Sequence, residues 1–375
     1  MSSGGISIVD TEVLAPLARP GHTRLYPTTG GGDEAFGQYS LESTLIRLVQ
    51  ESPFLAKEAD SAALYLVPQY ATFETHGCLF ALQPIPANRL QDCAANVTRD
   101  YLMPLILSVQ ATPAYKRRNG SDHIWIFPWD SSWQMFPGVP EALATNRFFG
   151  FWGPERNLVA VPVTSKAVPS GADNERNSVF GGHSVAFSTA RLTQPSRSLS
   201  CAVLPPHKYL ASFAGTIYPS RVYSMGIRQD LLSLYNEANV SNTRILVLDR
   251  HLPYDEYLAL LRDSLFCLSP QGWTPWSQRL YFAIAVGCIP VFFDRPGWNM
   301  QLPFANGLLD WSTMSVVIPN GPINKVDEIL RGYGPDEVCR MRKLLAEAKG
   351  VLLWSYNPEL TLLASLTSAL DKVKS

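Results

Sequence analysis

One stretch restricts the fold more than any other, residues 263–291, which read Asp263-Ser-Leu-Phe-Cys-Leu-Ser-Pro-Gln-Gly-Trp-Thr-Pro-Trp-Ser-Gln-Arg-Leu-Tyr-Phe-Ala-Ile-Ala-Val-Gly-Cys-Ile-Pro-Val291. The apolar run Leu265 to Leu268 predicts a buried strand, Ser269 to Trp276 a glycine-containing loop, and Ser277 to Val286 a helix. Ser277 is a credible N-cap and Gly287 a C-terminal stop, after which Cys288 to Phe293 reads as a second strand. Strand, loop, helix and strand in that order form the unit of a parallel, doubly wound sheet.

The same alternation extends on both sides. Tyr209 to Phe213 and Arg244 to Leu248 are further apolar runs, and Arg228 to Ala238 and Tyr254 to Arg262 have helical spacing. In an open parallel sheet, ligands sit outside the carboxyl ends of the strands. The loop from Ser269 and the helix start at Ser277 therefore face a ligand crevice, and the N–H groups of a helix start favour a diphosphate. Arg279, in the first turn of that helix, can clamp phosphate oxygens with two hydrogen bonds. On chemistry alone it serves equally well as a structural residue.

The first half repeats the pattern less sharply. Leu41 to Leu55 predicts a helix, Ala63 to Pro68 a buried strand, Val97 to Val109 a helix, His123 to Pro128 a strand and Asn157 to Val163 another. From Val163 to Pro206 the chain turns to Ser, Gly, Pro and Asn, which predicts a loop and interdomain region. Asp336 to Lys374 is helical in pattern, with a break near Tyr356-Asn-Pro358. A chain of 375 residues favours more than one core. We expect an N-terminal domain over residues 1–205, a second, ligand-binding domain over 206–335, and C-terminal helices over 336–375 that pack back across both.

Charge excludes some partners. A net charge of -1, from 31 basic and 32 acidic residues mixed along the chain, carries no footprint for nucleic acid or an anionic membrane. The longest apolar run, Leu280 to Phe293, is broken by Gly287 and Pro290 and is too short for a membrane span. Met1 to Asp10 has neither the basic flank nor the apolar segment of a signal peptide or anchor. The six cysteines, Cys78, Cys93, Cys201, Cys267, Cys288 and Cys339, contain no C-x-x-C pair, which argues against zinc and leaves the redox compartment open. Asn96, Asn119 and Asn239 begin glycosylation triplets that permit a lumenal location without showing one.

Residues 263–291 resemble the C-terminal signature of the exostosin glycosyltransferases, glycosyltransferase family 47. The likeness continues into Leu302-Pro-Phe304 and Leu309-Asp-Trp311. Upstream it takes in Tyr209-Leu-Ala-Ser-Phe-Ala-Gly215, Ile227-Arg-Gln-Asp-Leu231, Ser121-Asp-His-Ile-Trp-Ile-Phe-Pro-Trp-Asp130 and Ala63-Leu-Tyr-Leu-Val-Pro68, covering residues 37–320. It implies an α/β chain of the GT-B type, with two Rossmann-like domains facing a cleft. It also implies inverting transfer of a hexose or pentose from a nucleoside-diphosphate sugar, a UDP-sugar in particular, to a glycan or glycoprotein acceptor. No cofactor and no metal are expected, and the location implied is the Golgi lumen. Absence of any D-x-D pair agrees with a metal-independent donor site. Carried onto this chain, the donor-binding residues are Gly215, Arg228, Ser269, Gly272, Ser277 and Arg279. One position departs from the family, which usually has an acidic residue three places after the arginine; here it is Phe282.

Inverting transfer needs a base for the acceptor hydroxyl proton. His123 or Asp130, with Asp122 beside them, are the candidates, against a bland role in tying loop ends. Trp273 and Trp276 in the donor loop, and Trp129 and Trp133 near the Asp-His pair, offer aromatic faces to sugars or bases. Other readings compete. Phe282 favours a glycan- or nucleotide-binding protein without turnover. Gly182-His-Ser-Val-Ala186 resembles a nucleophile elbow around Ser184, which would make a serine hydrolase, although no strand precedes it. Gly30 to Ala35 fits a relaxed dinucleotide fingerprint but also lacks a strand before it and reads as a loop.

Overall fold

The computed structural model describes residues 6–8, 41–56, 58, 60, 62–80, 89–130, 132–150, 157–159, 207–305, 307–321, 323–354 and 356–374. The described residues up to 159, together with 357–374, make one compact unit, and those from 207 to 356 make the other. The expected boundary at 205/206 falls at the edge of the undescribed residues.

The first unit carries β1 (Ile6–Ile8), β2 (Leu64–Val67), β3 (His123–Phe127), β4 (Arg147–Gly150) and β5 (Asn157–Val159), all parallel and in that spatial order. Its helices are α1 (Leu41–Glu51), α2 (Ala71–Phe80), α3 (Arg89–Val97), α4 (Met103–Ala111), α5 (Pro113–Arg118) and α6 (Val139–Ala142). Every residue of β2 and β3 is buried, as a parallel strand covered on both faces requires. Trp125, Phe127, Phe136 and Phe148 fill the core, with the Trp125 Nε1 donating to Asn146 Oδ1 at 2.7 Å.

The helix expected over Val97 to Val109 is wider than predicted. It runs from α3 into α4 through a π-turn at Thr98–Leu102. Pro104 is the cause: it has no N–H for the carbonyl of Asp100, so the wider turn carries the chain past that gap. Strands β1 and β4 were not expected from the sequence.

The second unit carries β6 (Tyr209–Ala214), β7 (Ile245–Leu248), β8 (Ser264–Leu268), β9 (Ile289–Phe293) and β10 (Val316–Ile318), with α7 (Ile227–Tyr235), α8 (Val240–Thr243), α9 (Tyr254–Arg262), α10 (Arg279–Val286), α11 (Val326–Arg331) and α12 (Pro335–Leu352). All pairs are parallel and the order is β10-β9-β8-β6-β7. The chain passes from β6 outward to β7, then crosses back to place β8 on the other flank of β6. Strand order therefore reverses between β6 and β8. Phe213, Phe266, Val291 and Leu231 lie in the core that closes this sheet. Helix α10 begins two residues later than expected, at Arg279, and ends at Gly287, whose φ of 78° suits glycine.

Both units are α/β with wholly parallel sheets, as Rossmann-like domains are. The final helical stretch divides between them, α12 going with the second unit and α13 (Pro358–Lys374) with the first. Disulfides join Cys78 to Cys93 and Cys267 to Cys288, with Cα atoms 5.7 and 5.8 Å apart, and Cys339 is disulfide-bonded as well. Among the described residues no helix is long and apolar enough to cross a membrane.

Candidate active site

A doubly wound sheet binds ligands at the carboxyl end of the strands where its order reverses. Here that point lies between the end of β6, followed by Gly215, and the end of β8, followed by Ser269. Gly215 has φ 150°, a conformation side chains rarely adopt. A Cβ built there would stand 1.9 Å from Arg279 Nη2 and 2.9 Å from Cζ, so only glycine admits the guanidinium. Arg279 Nε donates to the Ala214 carbonyl at 3.1 Å, and the guanidinium lies 4.8 Å from the centroid of Phe213. Ser277 assists: its Oγ accepts the Arg279 N–H at 3.3 Å, a capping bond made from two residues upstream.

Arg228, at the start of α7, is only 3% exposed, and each of its three guanidinium nitrogens donates to the protein. Its Nε donates to Gln271 O at 3.1 Å, Nη1 to Thr216 O at 3.0 Å and to the Tyr223 hydroxyl, and Nη2 to Pro270 O at 3.2 Å. Arg228 thus fastens the loop after β6 to the loop after β8. Burial first, and the neighbouring Arg279 second, pull its guanidinium down to about 9. Two cations sharing the Phe213 ring at the switch point are a place where an anion is favoured.

The other expected donor residues have distinct surroundings. Ser269 is fully buried; its N–H donates to Val291 O at 2.8 Å and its Oγ to Cys267 O at 3.3 Å. The Gly272 carbonyl accepts the Ser224 N–H at 3.0 Å, and a Cβ on Gly272 would meet Arg228 Nη2 at an ordinary 3.6 Å. Phe282, expected to border the crevice or to pack in the core, is half-buried. It stands edge-on to Tyr254 and Tyr257 of α9, with centroids 6.1 and 5.8 Å away, beside the Cys267–Cys288 bridge. Its ring is a packing element between α9 and α10.

In the first unit the positions of Asp122 and His123 speak against the catalytic role expected for them. Both stand at the amino end of β3, the edge opposite the one where a parallel sheet binds ligands. They are 1% and 0% exposed; His123 Nδ1 donates to Asp122 Oδ1 at 2.9 Å, and its ring stacks on Tyr65 at 4.7 Å with Tyr115 edge-on. These contacts tie Tyr65 of β2 and Tyr115 of α5 to the start of β3. Asp130 lies three residues past the end of β3, on the carboxyl side, and is half-buried.

A polar cluster at that carboxyl side was not anticipated. Glu42, in the first turn of α1, is fully buried, and its Oε1 accepts from Gln69 Nε2 at 3.0 Å and Thr72 N–H at 3.1 Å. Gln69 in turn donates to Ile126 O in β3. Burial lifts the Glu42 carboxyl to about 8, against weaker hydrogen-bond effects from Thr72, Phe73 and Gln69. One turn on, His76 Nδ1 donates to Thr72 O at 2.8 Å and its ring lies 4.3 Å from Trp129; burial lowers it to about 4. In sequence Glu42 shows only as an acidic residue beside Leu41, at the start of an apolar helical face. Ser184 and the Gly30 to Ala35 loop lie outside the described residues.

Comparison with known proteins gives this geometry a family. The Exostosin GT47 domain model matches residues 21–333. A probable glucuronosyltransferase of rice, Oryza sativa subsp. japonica, is 24% identical over 82% of this chain and 67% of its own length. The probable beta-1,4-xylosyltransferase IRX10 of Arabidopsis thaliana is 24% identical over 82% of this chain and 68% of its own, and a second rice probable glucuronosyltransferase is 25% identical over 62% and 50%. This chain thus spans about half to two thirds of the length of these relatives. A crystal structure of TarM aligns over 74% of this chain and 59% of its own at 12% identity, with a TM-score of 0.29. With the family model covering most of its length, the chain belongs to the exostosin glycosyltransferase family, GT47.

Proposed function

We propose that this chain is an inverting glycosyltransferase that binds a UDP-sugar in its second unit and transfers a hexose or pentose to a glycan acceptor, without a metal ion or other cofactor. The observation that carries the reading is the close approach of Arg279 to Gly215 at the switch between β6 and β8. Charge-assisted hydrogen bonds from a guanidinium would neutralise the diphosphate as it leaves, the task a divalent cation performs elsewhere. Arg228 shapes this site through its bonds to Thr216, Pro270 and Gln271, and Ser269, Gly272 and Ser277 supply backbone and cap. Asp130, on the carboxyl side of β3, is the residue we assign as acceptor base. Disulfides fit an oxidising compartment such as the Golgi lumen.

The test is a panel of nucleotide sugars offered to purified protein, beginning with UDP-xylose and UDP-glucuronic acid because of the relatives' names. Product configuration is read by NMR, with and without a chelator. We expect transfer or slow donor hydrolysis with inversion and an unchanged rate under chelation. Retention of configuration, or activity abolished by chelation and restored by magnesium or manganese, would refute the mechanism.

A further inference from the structure

Next to the donor site the second unit holds an aromatic surface that diphosphate binding does not use. Tyr218, Tyr223 and Trp273 form a cluster, with centroids 4.8 Å apart for Tyr218–Tyr223, 4.9 Å for Tyr223–Trp273 and 5.7 Å for Tyr218–Trp273. Tyr223 is the buried foot, 6% exposed, its hydroxyl accepting from Arg228. Tyr218 and Trp273 are the open top, 44% and 54% exposed. Leaving an indole half in water forfeits apolar burial worth on the order of a kcal/mol or more.

The backbone beneath is held under strain. Ser224, Met225 and Gly226 have φ of 57°, 49° and 78°, three left-handed residues in a row, two of them not glycine. Ser224 N–H donates to Gly272 O at 3.0 Å, which hooks this turn to the loop that presents Trp273. Strain retained under a half-exposed aromatic pair marks a built surface.

We propose that Trp273 and Tyr218 form a stacking platform for a pyranose ring of the glycan acceptor. The inference rests on the glycosyltransferase reading given above. A pyranose has an apolar C–H face and a rim of hydroxyls, so it stacks on one side and keeps its hydroxyls in water. The two exposed rings, tilted 38° to each other, offer such a one-sided surface. A nucleobase also has a hydrogen-bonding edge to satisfy, and the amide and guanidinium donors nearby already serve other acceptors. Gln229 Nε2 donates to the carbonyls of Tyr218 and Ser220 at 2.6 and 2.9 Å, and Arg221 pairs with Asp230 through two 2.9 Å bonds. Arg228, as described, is bound to loop carbonyls. The platform continues the donor loop, with Trp273 next in sequence to Gly272, which puts an acceptor sugar beside the donor rather than on it.

The test uses the full chain, its Trp273→Ala and Tyr218→Ala variants, and Trp273→Phe as the conservative control. Both rings are exposed, so folding is checked simply by thermal melting. An oligosaccharide array containing β-1,4-linked xylose, glucose and N-acetylglucosamine hexamers identifies a binder, and calorimetry measures it alongside UDP. We expect at least about tenfold weaker oligosaccharide binding in each alanine variant, near-recovery in Trp273→Phe, and unchanged UDP affinity in all three. Unaltered oligosaccharide binding in both alanine variants would overturn the proposal, as would loss of UDP binding in Trp273→Ala, which would mark a nucleobase platform, or no binding anywhere on the array. Failure of the donor reading is separately visible: the wild type would not bind UDP, whatever Trp273 does for oligosaccharides.

Discussion

Gly215→Ala isolates the role of Arg279 without touching its charge. The added Cβ would lie 1.9 Å from Nη2, a distance no real atoms keep, and φ 150° is itself unfavourable for alanine, costing about 1–3 kcal/mol. The colliding atom is the far end of a flexible side chain, so Arg279 swings away and loses its 3.1 Å bond to Ala214 O, while the fold, with a stability typically of about 5–15 kcal/mol, survives. What goes with the displaced guanidinium is its charged hydrogen bonding to phosphate, worth about 1.5–3 kcal/mol, or about 10- to 150-fold in affinity. The assay is a double-mutant cycle on UDP affinity by calorimetry, with Arg279→Ala as the second change. If glycine acts through the arginine, the double variant binds no more weakly than Arg279→Ala alone. Equal fold-losses from Gly215→Ala in the wild-type and Arg279→Ala backgrounds would refute the reasoning.

Two further outcomes follow from the same geometry. Arg228→Ala should lower the melting temperature sharply, by the equivalent of about 3 kcal/mol, because it strips a buried hub of loop hydrogen bonds, whereas Arg279→Ala should leave melting nearly unchanged and weaken UDP binding; the reverse pattern would exchange their roles. Glu42 has a folded value of about 8 against an ordinary 4.5, so folding takes up a proton, and the stability of the neutral acid is fully present below pH 4.5 and lost as pH rises through 8. Glu42→Gln, which carries no such linkage, should therefore gain on the order of 3 kcal/mol over wild type at pH 7 but under about 1 kcal/mol at pH 5, by urea denaturation. A gain independent of pH would mean that Glu42 is not held neutral.

Where residues carry their own local signal, the sequence and the structure agree closely. The β8–α10–β9 unit lies within a residue or two of its expected place because the apolar runs, the capping serine and Gly287 all mark it. The short strands β1, β4 and β10 have three or four residues each and too little periodicity to show. Strand order is not local at all: the reversal between β6 and β8 exists only in the pairing, Ala211 with both Ile245 and Phe266, and Ser212 with both Leu246 and Cys267. Asp122 and His123 illustrate the cost of this. Their chemistry suits catalysis, but which end of a strand faces the ligand depends on sheet direction. Glu42 is the opposite case. In sequence it is an ordinary acidic residue in a first helical turn, and it becomes a buried acid only because Gln69 and Thr72, about thirty positions away, close over it.

The Cys267–Cys288 bridge spans 21 residues of sequence, and the ring of chain it closes holds Ser269, Gly272, Trp273, Ser277 and Arg279 together. Closing a loop of that size stabilises the fold by about 3 kcal/mol in the chain-entropy view. It also makes the loop after β8 and helix α10 a covalently clamped cassette, one end in β8 and the other directly before β9. The exposed Trp273 side chain can then be exchanged while the clamp holds the end of β8 beside the start of β9. Substrate preference in such a chain can drift through loop substitutions that would otherwise have to be compensated in the core.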